Sequence, residues 1–218
     1  MAAAYEPAGD VGGDFFDAFP IPNRPGTMAL VIGDVTGKGI AAALMMAFSR
    51  AVLRAASYNG TGPADALRRT NRVLTDDVRS GLLLTAVAVE LDERSGRLRW
   101  ACGGHEPPFL LRAGRRSVRE LSATGPMLGM LDRLVVRDRS VTMRPGDRLV
   151  LWTDGVTDAR HPDGERFGEA RFRQVLCHHA VTGDPEAVVA DVMAAARAWS
   201  AGAEPADDIT VVVIERTS

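Results

Sequence analysis

Apolar runs of the buried-strand type end on aspartate twice along this chain. Met28–Val35 (MALVIGDV) is apolar up to Asp34, and Arg148–Thr153 (RLVLWT) runs straight into Asp154. A third run, Ile209–Ile214 (ITVVVI), is entered directly from Asp207 and Asp208. Short continuous apolar runs between polar stops predict strands. Residues 1–5 read as another short strand, broken by Pro7 and Gly9. Phe15–Ile21 is apolar with Asp17 interrupting, and Pro22–Gly26 reads as a turn. In the middle, Leu82–Leu91, Leu98–Cys102, Phe109–Arg112 and Ser117–Leu121 are separated by turn signals at Arg94–Gly96 and Ala113–Arg115, which predicts an antiparallel meander.

Elsewhere the period changes. Ile40, Leu44, Phe48 and Val52 recur every four residues and predict a helix. Pro63 suits the first turn of a second helix, whose apolar side carries Leu67, Leu74 and Val78. Asp184 and Pro185 have the chemistry of an N-cap and a first helical residue; that helix runs to about Ser200, with Gly202 as its stop. Strands in runs and helices in pairs predict an α+β fold rather than alternating βαβ units. Antiparallel strands flanked by helix pairs predict a layered sandwich.

Length and composition narrow the reading. The 218 residues suit one large domain, 1–218, with 46% hydrophobic residues to fill a core. A net charge of −2 gives no electrostatic case for nucleic acid or an anionic membrane, so neither is expected as a partner. No apolar run approaches the ~20 residues needed to span a bilayer, and no secretory signal opens the chain, so membrane insertion is not expected. Cys102 and Cys177 lie far apart, outside any CxxC or Cys/His cluster, and read as thiols in a reducing cytoplasm. The expected location is cytoplasmic.

The candidate chemistry is acidic. Asp14 sits in VGGDFFD, Asp34 in GDVTGKG, Asp154 in WTDGVTD, and Asp207 and Asp208 in DDIT. Any one of these is an ordinary turn signal. Four aspartate motifs at strand boundaries, three beside glycine, point instead to a site. Carboxylates without His or Cys partners suit hard ions such as Mg²⁺ or Mn²⁺. The GDVTGKG segment fails as a P-loop, because its spacing is one short and Gly39 stands where Ser or Thr would hold Mg²⁺. His105 reads equally as a cleft-shaping group and as a hydrogen-bonded structural histidine. The Met45–Met46 pair reads as core. Composition and spacing alone reach an acidic divalent-metal enzyme.

The ordered blocks VGGDFFD, GDVTGKG, CGGHEPP, GPMLGML, TDGVTDA and DDITVVV resemble the signature of the PPM metal-dependent protein phosphatases, in the bacterial RsbU/SpoIIE branch, over roughly Tyr5 to Ile214. The resemblance implies a four-layer αββα sandwich, two antiparallel β-sheets flanked by helix pairs. It implies two Mn²⁺ or Mg²⁺ ions, with Asp14 on one, Asp34 bridging, the backbone carbonyl of Val35 assisting, and Asp154 and Asp207 on the other. Asp208, next to Asp207, is a further candidate metal ligand, and Asp158 is a weaker one. A water activated by the two ions would attack a phosphoserine or phosphothreonine directly, without a covalent intermediate. The implied substrate is a phosphorylated STAS-domain anti-anti-sigma factor in a partner-switching pathway. A regulatory domain or a homodimer would fit the branch, with control through the helices of about Ile40–Arg79.

Two departures from eukaryotic-type relatives matter. No arginine precedes Arg24, and Thr36 stands two residues beyond Asp34 where those relatives have histidine. The phosphate anchor and the general acid are therefore left unassigned. Two alternatives follow: a catalytically weak regulatory module of the same fold, and a small-molecule metal phosphohydrolase.

Overall fold

The computed structural model describes residues 1–77, 81, 83–179 and 184–217. In chain order the elements are β1 (Ala2–Glu6), β2 (Asp14–Pro20), β3 (Thr27–Val35), α1 (Ile40–Asn59), α2 (Pro63–Asp77), β4 (Leu84–Asp92), β5 (Arg97–Gly103), β6 (Phe109–Leu111), β7 (Val118–Glu120), β8 (Arg139–Thr142), β9 (Arg148–Trp152), α3 (Gly155–Asp158), α4 (Gly168–His179), α5 (Pro185–Trp199) and β10 (Ile209–Glu215). They fall into two compact units. The first comprises Met1–Gly12, Pro108–Leu121 and Arg144–Ser218; the second comprises Gly13–Pro107 and Ser122–Met143.

The second unit is built on an antiparallel sheet in the order β2-β3-β4-β5-β8. Strands β3 and β4 are apolar on both faces, as continuous runs should be when a strand is interior to its sheet. The β2–β3 hairpin is anchored at its turn by Arg24, whose two terminal nitrogens each donate to the buried carboxylate of Glu90 at 2.7 Å. Helices α1 and α2 pack against each other and on this sheet, closing a core that includes Phe15, Phe19, Val31, Leu53, Leu67 and Leu74. Leu67 and Leu74 thus lie on the buried side of α2 as expected; Val78 lies outside the described residues.

Helix α1 forms where the four-residue period predicts it, and its two faces differ. The four-residue apolar period belongs to its outer face: Ile40, Leu44 and Phe48 are 76%, 68% and 39% exposed. The buried face is Ala42, Met45, Ser49, Leu53 and Ala56, where small side chains let the helix lie close to the strands. The helix is also 20 residues long and contains an 18-residue window of mean hydropathy 1.4, so by length and composition alone it could cross a bilayer, contrary to expectation. Arg50 and Arg54 interrupt the apolar run, which hid its length. Both reach the buried Asp17 carboxylate on β2, at 3.3 and 3.0 Å, and fasten the helix to the strand.

The meander is corrected too. β4 and β5 pair, and β6 and β7 pair, but the two hairpins belong to different sheets. β5 takes as its other neighbour the short edge strand β8, which the pattern did not announce. β6 pairs with β9 in the first unit.

That first unit holds the order β1-β10-β9-β6-β7, again antiparallel. Helices α3, α4 and α5 belong to it. Its core gathers Phe109, Trp152 and Phe172 with ring centroids 5.0 to 5.7 Å apart, and Val188, Val192 and Val211 beside them. Helix α5 starts as predicted, with the Asp184 side chain accepting from the Ala187 backbone N–H at 2.7 Å and Pro185 following.

Candidate metal centre

In the second unit, Asp14 and Asp34 are register partners on β2 and β3. The Val35 N–H donates to the Gly13 carbonyl at 3.3 Å, so Val35 and Gly13 form the hydrogen-bonded pair. The adjacent Asp14–Asp34 pair is then a non-bonded one, where partner Cα atoms are about 4.5 Å apart and side chains stand closest on one face. Asp14 is buried and Asp34 partly so. Like charges directly opposite each other destabilise a sheet, and a cation offsets that cost.

The loop before β2 closes tightly on the same place. A Cβ added to Gly13 would stand 2.6 Å from the Val35 carbonyl oxygen and 3.2 Å from Asp34 Oδ1, so only glycine fits. Beyond Val35, Thr36 donates its N–H to Leu83 O and accepts the Leu83 N–H on Oγ1, both at 2.9 Å. The residue in the place of the eukaryotic-type histidine therefore helps to bind β3 to the start of β4. Gly37 and Gly39 take φ of +101° and +79°, which lets the chain turn from the strand into α1. Lys38 between them is exposed.

In the first unit, Asp154 follows β9 and opens the single turn α3. Burial, and then the neighbouring carboxylates of Asp207 and Asp158, hold Asp154 above its ordinary carboxyl value; the Gly155 N–H and Arg166 pull the other way. Asp207 is exposed, whereas Asp208 is buried and accepts the Ala8 N–H on Oδ1 at 2.8 Å. The Asp208 backbone passes so close to Gly155 that no Cβ fits there. Thr153 ties the two segments together, its Oγ1 accepting from Thr210 N at 2.9 Å and lying 3.4 Å from the Asp208 carbonyl. Asp158 is paired with Arg166 at 2.8 Å. Arg166 is a basic residue the sequence reading did not single out; it lies eight residues beyond Asp158, and the charge alternation of DARHPDGER was its signal.

Each unit thus gathers carboxylates near one another, Asp14 with Asp34 in one and Asp154 with Asp207 and Asp158 in the other. Among the described residues, no group of three or more His, Cys, Asp or Glu is close enough to cage an ion by itself. Paired carboxylates and a backbone carbonyl at Val35 match the hard-oxygen donors preferred by Mg²⁺ or Mn²⁺. A cleft of about 630 Å³ lies between α1 and α2, lined by Val52, Ala55, Asn59, Arg69 and Arg72, and contains none of the candidate ligands. The acidic positions, not that cleft, carry the candidate chemistry. The Cys102 thiol is pushed up to about 12, chiefly by burial, and is not a nucleophile near neutral pH.

The model of the stage II sporulation protein E (SpoIIE) family matches residues 24–217. Protein IcfG of Synechocystis is 34% identical over 202 residues, covering 80% of this chain and 31% of its own length. Phosphoserine phosphatase RsbU of Bacillus subtilis is 27% identical over 164 residues, covering 75% of this chain and 48% of its own length. The chain therefore spans less than half the length of each of these two relatives. The SiaA-PP2C domain of Pseudomonas aeruginosa superposes with a TM-score of 0.86 at 25% identity, covering 98% of this chain and 85% of that one. The fold is the α+β sandwich of PP2C-type phosphatases. At the level of fold alone, the phosphatase PstP, solved in complex with two manganese ions, gives a TM-score of 0.69 at 18% identity, over 100% of this chain and 97% of that one.

Proposed function

The chain belongs to the SpoIIE family of PP2C-type phosphatase domains, and we propose that residues 1–218 act as one metal-dependent phosphoprotein phosphatase domain on phosphoserine or phosphothreonine. The observation that carries this reading is the Asp14–Asp34 pair, set opposite each other on adjacent strands with the Val35 carbonyl beside them. In this reading Asp14, Asp34 and the Val35 carbonyl hold Mn²⁺ or Mg²⁺ in one unit. Asp154 and Asp207 hold such an ion in the other, while Asp208 fixes the loop after β1. Two such ions, when bound, acidify a water and neutralise phosphoryl charge. The residues of this chain supply fixed oxygen ligands, and no side chain is required to form a covalent intermediate.

The substrate in this reading is a phosphorylated STAS-domain protein, whose dephosphorylation frees a sigma factor through partner switching. The name of the Bacillus subtilis relative, a phosphoserine phosphatase, supports the chemistry; the STAS assignment rests on the branch resemblance, an argument by analogy. Control through α1 and α2 is part of the same reading, and the exposed stripe Ile40, Leu44 and Phe48 offers a regulatory domain or a second copy an apolar face. The test is Mn²⁺-dependent hydrolysis of a phospho-STAS protein, a phosphopeptide and nucleotides by the wild type and Asp34→Asn. Metal-dependent turnover of the phosphoprotein that Asp34→Asn abolishes is the expected result. Turnover equal in both proteins overturns the enzyme reading, and a preference for nucleotides overturns the substrate class.

A further inference from the structure

Opposite Asp34, on the other side from Asp14, stands Thr85 of β4. Its Oγ1 lies 2.8 Å from Nδ1 of His105 and 3.4 Å from the Asp34 carbonyl oxygen. The His105 side chain is fully buried. Its backbone is fixed as well: the Cys102 thiol donates to the His105 carbonyl at 3.0 Å, and the preceding Gly104 donates its N–H to Gly125 O at 2.9 Å. A carbonyl only accepts, so the hydroxyl proton of Thr85 is directed at Asp34, and Oγ1 accepts the Nδ1–H of His105. Glu106 Oε2, 3.7 Å from Nδ1, favours the same tautomer.

The Asp34–Val35 peptide is thereby held from two sides. Its carbonyl faces Thr85, and its N–H donates to Gly13 O at 3.3 Å. At 3.4 Å the Thr85–Asp34 contact is too long to be strong; the short bond in the chain is the one from His105, which fixes where the Thr85 hydroxyl points.

We propose that His105 and Thr85 form a positioning pair that sets the orientation of the Asp34–Val35 peptide, and through it the donor oxygens offered to a divalent ion. This inference rests on the reading of Asp34 and Val35 as ligands. Partners that orient ligands in this way alter metal affinity without touching the ion. Neither residue is itself a catalytic group.

The test measures Mn²⁺ binding to the metal-stripped chain by calorimetry, with thermal midpoints taken in parallel. Thr85→Val keeps the shape and loses the hydroxyl; Thr85→Ser keeps the hydroxyl. The expected result is a loss of affinity of about tenfold for Thr85→Val, with Thr85→Ser close to wild type. His105→Leu and His105→Asn form a second pair, of which only Asn retains a donor near Nδ1, and they decide the question if Thr85→Val does not fold. Thr85→Val or His105→Leu binding Mn²⁺ within twofold of wild type, whatever its thermal midpoint, overturns the proposal. So does an equal loss in Thr85→Ser. Asp34→Asn separates the premises: if it binds as wild type does, or if wild type takes up no Mn²⁺, the ligand reading falls and the positioning pair with it. If Asp34→Asn loses binding and Thr85→Val does not, only the positioning pair falls.

Discussion

The acidic residues of the two units are held by different means. Asp14 and Asp34 occupy one rung of a β-ladder, so their spacing is set by backbone hydrogen bonds on both sides of β3. Asp154 and Asp207 lie just beyond strand ends, one on a single helical turn and the other on an exposed approach to β10. The first arrangement is rigid because it costs a sheet register to move it. The second depends on a few contacts: Thr153 to Asp208 and Thr210, Asp208 to Ala8, and Asp158 to Arg166. Rigid carboxylates on strands and adjustable carboxylates on loops make different demands on sequence, and mutations should separate them.

The largest effect is expected from Asp34→Asn, which leaves the ladder intact and removes a charge; metal-dependent turnover should fall at least a hundredfold, measured with a phosphoprotein substrate at saturating Mn²⁺. Gly13→Ala should come next. Its Cβ would meet the Val35 carbonyl at 2.6 Å, a clash worth about 1–3 kcal/mol of stability in denaturant unfolding and accompanied by loss of activity. No comparable steric penalty should follow substitution at the exposed Asp207, and this sharpens the contrast. Asp207→Ala should lose Mn²⁺ affinity with little change in stability. Asp208→Ala should lose about 1–2 kcal/mol of stability, because it leaves the Ala8 N–H without its acceptor. The reverse pattern would exchange the roles assigned to Asp207 and Asp208.

The smallest effect concerns pH. Asp154 has a folded-state carboxyl value raised above the ordinary 3.8, so over the window between the two values the native state holds more protons than the unfolded chain. Stability of the metal-free protein should therefore fall as pH rises through that window and stay lower above it. Asp154→Asn removes this loss. Its metal-free thermal midpoint should exceed that of the wild type at pH 7, and the difference should vanish near pH 3. Saturating Mn²⁺ should reverse the order at pH 7, since the wild type gains a bound ion.

The acidic strand ends of both units were the most legible features of the sequence. MALVIGDV announces a buried strand and its acidic end together, and RLVLWTD does the same for β9, because continuous apolar runs need no long-range information to be recognised. Pairing does need it. The runs at β4 to β7 look like one meander, yet β6 finds its partner in β9, some 40 residues further on, and β8 is a short, mostly exposed edge with no apolar signature. Helix α4 was not anticipated either. Its buried Phe172 and Leu176 are separated by Arg173, Gln174 and Val175, and the helix opens in a charge-rich stretch. On α1 the pattern gave the right element, but its four-residue apolar period marks the exposed face, since alanine and serine line much of the side that packs. The ordered motifs named the candidate residues; the strand pairing of Asp14 with Asp34, and the place of Thr85 and His105 beside Asp34, follow only from the fold.

The hairpin that carries Asp14 and Asp34 also bears on inheritance. The two residues are equidistant from Arg24, and the grip of Arg24 on Glu90 fixes the turn to the sheet. Inserting or deleting one residue anywhere between them, unless the turn absorbs it, shifts one strand by a single position and sends one carboxylate to the opposite face. Related chains should therefore differ in length readily at Ala113–Arg115 or Arg94–Gly96, and seldom within the twenty-one positions from Asp14 to Asp34. Lineages that did change length there would have had to rebuild the turn and the acidic pair in the same step.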